Sequence, residues 1–255
     1  MEQHPITLWQ TLANWGESLE NRHVSRREFG SMCLKMAAGA IGASALFSCS
    51  QTQEFPRPPM VSFKPASQPL RARSDSQLLR EIRMRRDILP KSNYERRRER
   101  PMKARYITIH STANRRAGAL QHAKALQNGA MRSLAWHFTC DQYLAVQHLP
   151  LNVTGHHADR GGPGDKYSIA IEMCEVEGRG QNHIRTWDRA AKLTAYLMKK
   201  YDIPLRNVVP HYFWTRKNCP APLLENRRPG AKWAWFKSRI DYYYRCINNG
   251  RSNLG

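Results

Sequence analysis

Ser168-Ile-Ala-Ile-Glu-Met-Cys174 is the stretch on which the fold class turns. Side chains alternate along an extended chain, so Ile169, Ile171 and Met173 share one face and Ala170 and Glu172 the other. Tyr106-Ile-Thr-Ile-His110 repeats the pattern, with Ile107 and Ile109 on one side and His110 at the end of the other. Leu134-Ala-Trp-His-Phe-Thr-Cys140 and Tyr143-Leu-Ala-Val-Gln-His-Leu149 read as two more strands, with Asp141-Gln142 as a hairpin turn between them. Elsewhere the apolar period lengthens. Trp187, Ala190, Ala191, Thr194, Leu197, Met198 and Tyr201 recur at helical spacing and stop before Pro204. Trp233, Phe236, Ile240, Tyr243, Tyr244 and Ile247 form a second such stripe, and a shorter helix fits residues 117–128. Strands interleaved with helices predict a single α/β domain over residues 104–250, a central mixed β-sheet flanked by helices.

Two segments precede it. Residues 1–49 read as an export signal: Ser25-Arg-Arg-Glu-Phe29 resembles a twin-arginine motif and is followed by the uncharged run Met36–Phe47. Twelve residues span only about 18 Å as a helix, short of the roughly 30 Å of bilayer hydrocarbon, which favours a processed segment over a permanent span. Leu46-Phe-Ser-Cys49 resembles a lipobox, in which Cys49 becomes the lipidated first residue of the mature protein. Cleavage after Ala43-Ser-Ala45 and an uncleaved anchor are the competing readings. Residues 50–103 carry five prolines before residue 70, then arginine clusters at Arg83, Arg85, Arg86 and at Arg96, Arg97, Arg98, Arg100. That composition reads as a basic tether, although Leu78, Leu79, Ile82 and Ile88 would allow a helix over residues 76–88.

The chain has 41 Lys+Arg against 20 Asp+Glu, a formal charge of +21. Residues 1–100 contribute 17 − 10 = +7 and the remainder 24 − 10 = +14, so the excess is general. A polyanionic partner follows: nucleic acid, anionic lipid or wall polymer. No aromatic RNA-binding signature or zinc-finger spacing supports nucleic acid. The six cysteines (33, 49, 140, 174, 219, 246) are too unevenly spaced for a small disulfide scaffold.

Chemistry concentrates in Val208-Val-Pro-His-Tyr-Phe-Trp-Thr-Arg-Lys-Asn-Cys-Pro-Ala-Pro222. Its three prolines exclude a regular helix across the whole segment, so it reads as a shaped loop leaving a short strand. His211 and Cys219 offer an imidazole and a thiolate, and with His110 they would give zinc three protein ligands and leave one position for water. Glu172 is costly on a covered strand unless paired with an arginine or used as a general base. Lys217 is either a routine loop charge or a stabiliser of a developing oxyanion.

Several ordered motifs carry a family resemblance: Ile109-His-Ser-Thr112, Ala135-Trp-His-Phe138, Gly155-His-His-Ala158, Gly162-Pro-Gly164, Ser168-Ile-Ala-Ile-Glu172 and His211-Tyr-x-Trp-x-x-Lys-Asn-Cys-Pro220. From about Tyr106 to Leu223 the sequence resembles the zinc-dependent N-acetylmuramoyl-L-alanine amidases, whose fold is shared with peptidoglycan recognition proteins and phage lysozyme-like amidases. The resemblance implies one Zn²⁺ per chain on His110, His211 and Cys219, with Glu172 and Lys217 catalytic and His137 and His157 lining the substrate groove. It also implies peptidoglycan as the partner rather than nucleic acid, and it agrees with the signal region, which reads as export to the periplasmic side of the envelope with attachment to the membrane through Cys49. A regulatory protein has no signature here. Trp136 stands where some phage enzymes have a catalytic tyrosine, which leaves proton transfer to Glu172, and His156 replaces a tryptophan common in bacterial members. The competing classes are a non-catalytic peptidoglycan-binding module of the same fold, which typically lacks the ligand at the cysteine position, and a basic protein of nucleic-acid or lipid surfaces.

Overall fold

A computed structural model of the chain describes residues 68–93, 96 and 99–255. The expected export signal with Cys49, and the tether up to residue 67, lie outside the described residues. Six strands form one sheet: β1 (Met84–Arg86), β2 (Tyr106–Ser111), β3 (Phe138–Cys140), β4 (Ala145–Gln147), β5 (Ser168–Met173) and β6 (Val208–Pro210). Their spatial order is β1-β4-β3-β5-β2-β6. Only β3 and β4 are antiparallel neighbours; the other pairs are parallel, so the sheet is mixed as expected. The hairpin between β3 and β4 is closed by Asp141, whose Oδ1 accepts from the backbone N–H groups of Tyr143 at 2.7 Å and Leu144 at 2.9 Å.

The helices are α1 (Asp75–Ile82), α2 (Ala119–Gln127), α3 (Pro163–Tyr167), α4 (His183–Tyr201), α5 (Tyr212–Thr215) and α6 (Ala231–Ile247). A short hairpin, β7 (Leu224–Glu225) with β8 (Arg228–Pro229), precedes α6. One face of the sheet presents Ile107, Ile109, Phe138, Ile169, Ile171 and Met173 to α4 and α6, which answer with Leu193, Leu197, Trp233, Phe236 and Ile240. The Asn182 side chain caps α4 by accepting from Arg185 N–H, and the helix stops at Asp202, whose φ of 51° is left-handed. Across the sheet α2 packs Ala119 and Ala123 on Val146 and Cys174, and Leu126 joins Trp136 and Ala170. Cys174 and Cys246 therefore sit in separate clusters, and both are free thiols.

The tether reading of residues 50–103 needs correction from Ser74 onward. Ser74 and Gln77 form a capping box that starts α1, and Leu78 and Ile82 are fully buried in the main cluster. β1 then adds an edge strand beside β4, and Leu89 is buried under the loop that follows. Arg96 is itself buried and donates to the Leu89 carbonyl at 3.1 Å. The physical reason is that Arg85 and Arg86 lie on a sheet edge, where charge is tolerated and alternation is not required. Two buried side chains anchor α1 because α4 already supplies an apolar surface for them.

Candidate metal centre and catalytic cleft

Register brings the key residues together. β2 and β5 pair so that His110 lies opposite Glu172, on the face turned away from α4 and α6. β6 runs beside β2 and delivers His211, whose N–H donates to the Ile109 carbonyl at 3.1 Å. The following segment makes the single helical turn α5, then doubles back. Tyr212 N–H donates to the Cys219 carbonyl at 3.0 Å, which returns the cysteine beside the histidine. The expected loop thus holds one short helical turn between Pro210 and Pro220.

His110 Nδ1 and His211 Nδ1 lie 3.0 Å apart, and Cys219 Sγ is 3.8 Å from His110 Nδ1. All three donor atoms fall within 4.8 Å of one another, and all three residues are buried. The hydrogen-bond network fixes the tautomers. His211 Nε2–H donates to the Ala158 carbonyl at 2.8 Å, which leaves a lone pair on its Nδ1. His157 Nε2–H donates to the Ser168 carbonyl at 3.4 Å, so its Nδ1 accepts from His110 Nε2–H at 3.1 Å. His110 Nδ1 is then a bare lone pair as well. Two lone pairs facing each other across 3.0 Å beside a sulfur repel unless a cation sits among them. The residues present fit a metal ion.

Electrostatics point the same way. Burial, reinforced by His157, His211 and Lys217, holds His110 well below the ordinary histidine value, and burial with Lys217 lowers His211. Both shifts favour the neutral imidazole, the form that can donate a lone pair to a metal. Burial and the neighbouring Glu172 push the Cys219 thiol up to about 12, against the pull of the Ser111 backbone N–H and Lys217. A bound cation reverses that balance, because it stabilises the thiolate directly. Glu172 Oε1 lies 4.0 Å from His110 Nδ1 with its side chain 15% exposed. Burial raises its pKa to about 8, with Lys217 drawing it down and Glu175 raising it. No arginine pairs with it among the described residues, and its Oε2 has no hydrogen-bond partner there.

A cavity of about 760 Å³ reaches this group at His211 and is lined in part by Leu134, His156, Arg160 and Lys217. Lys217 is exposed on its wall. His137 does not line it. That ring is fully buried and both nitrogens are taken, Nδ1 by Ala170 N–H at 3.0 Å and Nε2 by the Val153 carbonyl at 3.0 Å. The expectation that His137 touches substrate is therefore corrected: it pins β5 to the loop after β4. His157 borders the cavity, but both its nitrogens are engaged too, and it acts by orienting His110.

The sequence reading missed Asp165. Its Oδ1 accepts from His157 N–H at 2.7 Å and Ala158 N–H at 2.8 Å, and its Oδ2 accepts from Gly161 N–H. One carboxylate thus fixes the loop whose carbonyl orients His211. It follows Gly162-Pro-Gly164, where sequence alone does not distinguish a turn residue from this role. Gly155 is equally tied to the site: a Cβ there would come within 2.7 Å of the His157 ring and 2.9 Å of the Ala135 carbonyl.

Comparison with known proteins identifies the family. The family model described as N-acetylmuramoyl-L-alanine amidase matches residues 100–222. The N-acetylmuramoyl-L-alanine amidase CwlH of Bacillus subtilis (strain 168) is 40% identical over 150 residues, covering 57% of this chain and 58% of CwlH. XlyA of the same organism is 42% identical over 139 residues, covering 53% of this chain and 43% of XlyA. The chain thus spans about half the length of these curated relatives. The solved catalytic domain of XlyA superimposes with a TM-score of 0.56 at 38% identity, covering 62% of this chain and 99% of that domain. Matched across a whole solved catalytic domain, the chain belongs to the N-acetylmuramoyl-L-alanine amidase family designated Amidase_2.

Proposed function

We propose that the protein is a zinc-dependent peptidoglycan amidase that hydrolyses the bond between the lactyl group of N-acetylmuramic acid and the L-alanine of the stem peptide. The observation that carries this is the convergence of two imidazole lone pairs and a thiol beside the Glu172 carboxylate, at a cleft that His211 and Lys217 line. His110, His211 and Cys219 would hold the ion, and nitrogen with thiolate sulfur is a donor set that suits zinc. When bound, zinc supplies Lewis acidity toward a carbonyl oxygen and toward water.

Glu172 takes the proton of the attacking water and returns it to the departing L-alanine amine. Its raised pKa, drawn back by Lys217, suits proton exchange in both directions near neutral pH. The Lys217 ammonium on the cavity wall balances the charge that develops on the scissile carbonyl oxygen. His157 and Asp165 hold the two histidines in the ligating tautomer.

Export fits a substrate outside the cytoplasmic membrane, with the signal over residues 1–49 and a lipid on Cys49 as the proposed anchor. No helix among the described residues is long and apolar enough to cross a membrane. Radiolabelled palmitate entering the wild type but not Cys49→Ser tests the anchor. The activity is tested by digesting purified sacculi with and without a chelator, alongside Glu172→Ala and Cys219→Ala, and weighing the products. Intact sugar chains and free peptides beginning with L-alanine are the expected products, abolished by chelator and by both substitutions. Retention on sacculi without release would instead mark a binding module, and cleavage that survives either substitution would overturn the site.

A further inference from the structure

The cleft holds a second cation that this chemistry does not use. Arg160 lines the same cavity as His211 and Lys217 and is exposed there. It makes no ion pair or side-chain hydrogen bond among the described residues. The carboxylates nearest in sequence are already committed to backbone. Asp159 accepts from Gly164 N–H at 2.7 Å and Asp165 N–H at 3.0 Å. Asp165 accepts from His157, Ala158 and Gly161, and neither acid forms an ion pair with the guanidinium.

The backbone beneath Arg160 is also set. Its φ is 54°, and Gly161 follows at 89°, two left-handed residues in succession. A side chain with a Cβ is disfavoured in that region, where glycine is at ease, yet an arginine stands there. The loop is tied on both sides of it, by Asp165 to Ala158 and Gly161, and Ala158 in turn holds His211. Arg160 is two residues from Ala158, a backbone span of at most about 7 Å.

A planar guanidinium recognises a carboxylate through paired charge-assisted hydrogen bonds. In a peptidoglycan stem the residue after L-alanine is glutamate linked onward through its side chain, so its α-carboxyl is either free or amidated. We infer that Arg160 reads this α-carboxylate and makes the cleft selective for stems that carry it free over stems that carry the amide. The inference rests on the amidase reading and assigns its substrate class.

The test is calorimetric titration of zinc-loaded Glu172→Ala protein with two muramyl dipeptides, one ending in glutamate with a free α-carboxyl and one in isoglutamine. The acid should bind at least about tenfold more tightly. In the Glu172→Ala, Arg160→Gly double variant that ratio should fall to about one, with no drop in melting temperature because glycine fits the left-handed backbone. Arg160→Lys should retain part of the ratio. Equal affinities in the parent, or a ratio that survives Arg160→Gly, overturn the inference while leaving the amidase reading intact. Failure of both dipeptides to bind overturns both.

Discussion

At the scale of single residues, the site depends on groups that hold its ligands in place. His157 fixes the proton of His110 on Nε2, so His157→Phe should keep the fold and lose roughly 10–100-fold in zinc affinity, as outer-shell partners commonly do. Competition with a chromogenic chelator measures it, and unchanged affinity would mean that His110 chooses its tautomer unaided. Lys237 is a second buried case, on the helix α6. It is 2% exposed and its amine donates to the carbonyls of Leu205 and Val208, while burial lowers its pKa to about 7. A neutral amine has two N–H donors, enough for both carbonyls. The unfolded chain keeps lysine charged up to its ordinary value near 10.5, so between about pH 7 and 10 the unfolded state binds more protons. Stability from this residue rises with pH across that window and is lost as pH falls through 7. Denaturant melts of wild type and Lys237→Met should therefore diverge in favour of wild type from pH 7 to 10. A pH-independent difference would mean that the ammonium stays charged in the fold.

At the scale of elements, α1 and β1 set the stability of the edge farthest from β6. Leu78 and Ile82 are both fully buried against the main core, so Leu78→Ala or Ile82→Ala should each cost about 2–5 kcal/mol in urea unfolding. A cost within about 0.5 kcal/mol would return this segment to the status of a tether. The element was hard to see because its strand is three residues long and reads Met-Arg-Arg, with its pairing to β4 carried entirely by backbone. The longer elements were legible for the opposite reason. β2, β5, α4 and α6 each turn one face into the main core, and their apolar period records it. His110, Glu172, His211 and Cys219 were legible too, because a carboxylate on a covered strand and a histidine at a strand's end conflict with plain packing. His137 was misread since sequence shows an imidazole but not the backbone groups that consume both nitrogens. Asp165 and Arg160 were overlooked because their roles depend on loop closure, which no local period records.

For the whole molecule, a charge of +21 on 255 residues acts over distances that the cleft does not. Long-range attraction to an anionic polymer is screened once the Debye length, about 10 Å at 0.1 M salt, falls below the separation of the charges. Contacts that Lys217 and Arg160 make directly with a bound substrate act over a few ångströms, well inside the Debye length, and respond less. Retention of Glu172→Ala protein on purified sacculi should therefore fall at least about tenfold between roughly 50 and 500 mM NaCl. Turnover of a soluble muramyl peptide by the zinc-loaded wild type should change by less than about threefold over that range. DNA-cellulose supplies the control, since general polyanion attraction predicts salt-sensitive retention there as well, without hydrolysis. Equal salt sensitivity of retention and turnover would place the effective charge inside the cleft, and salt-independent retention on sacculi would assign wall binding to contacts other than the basic excess.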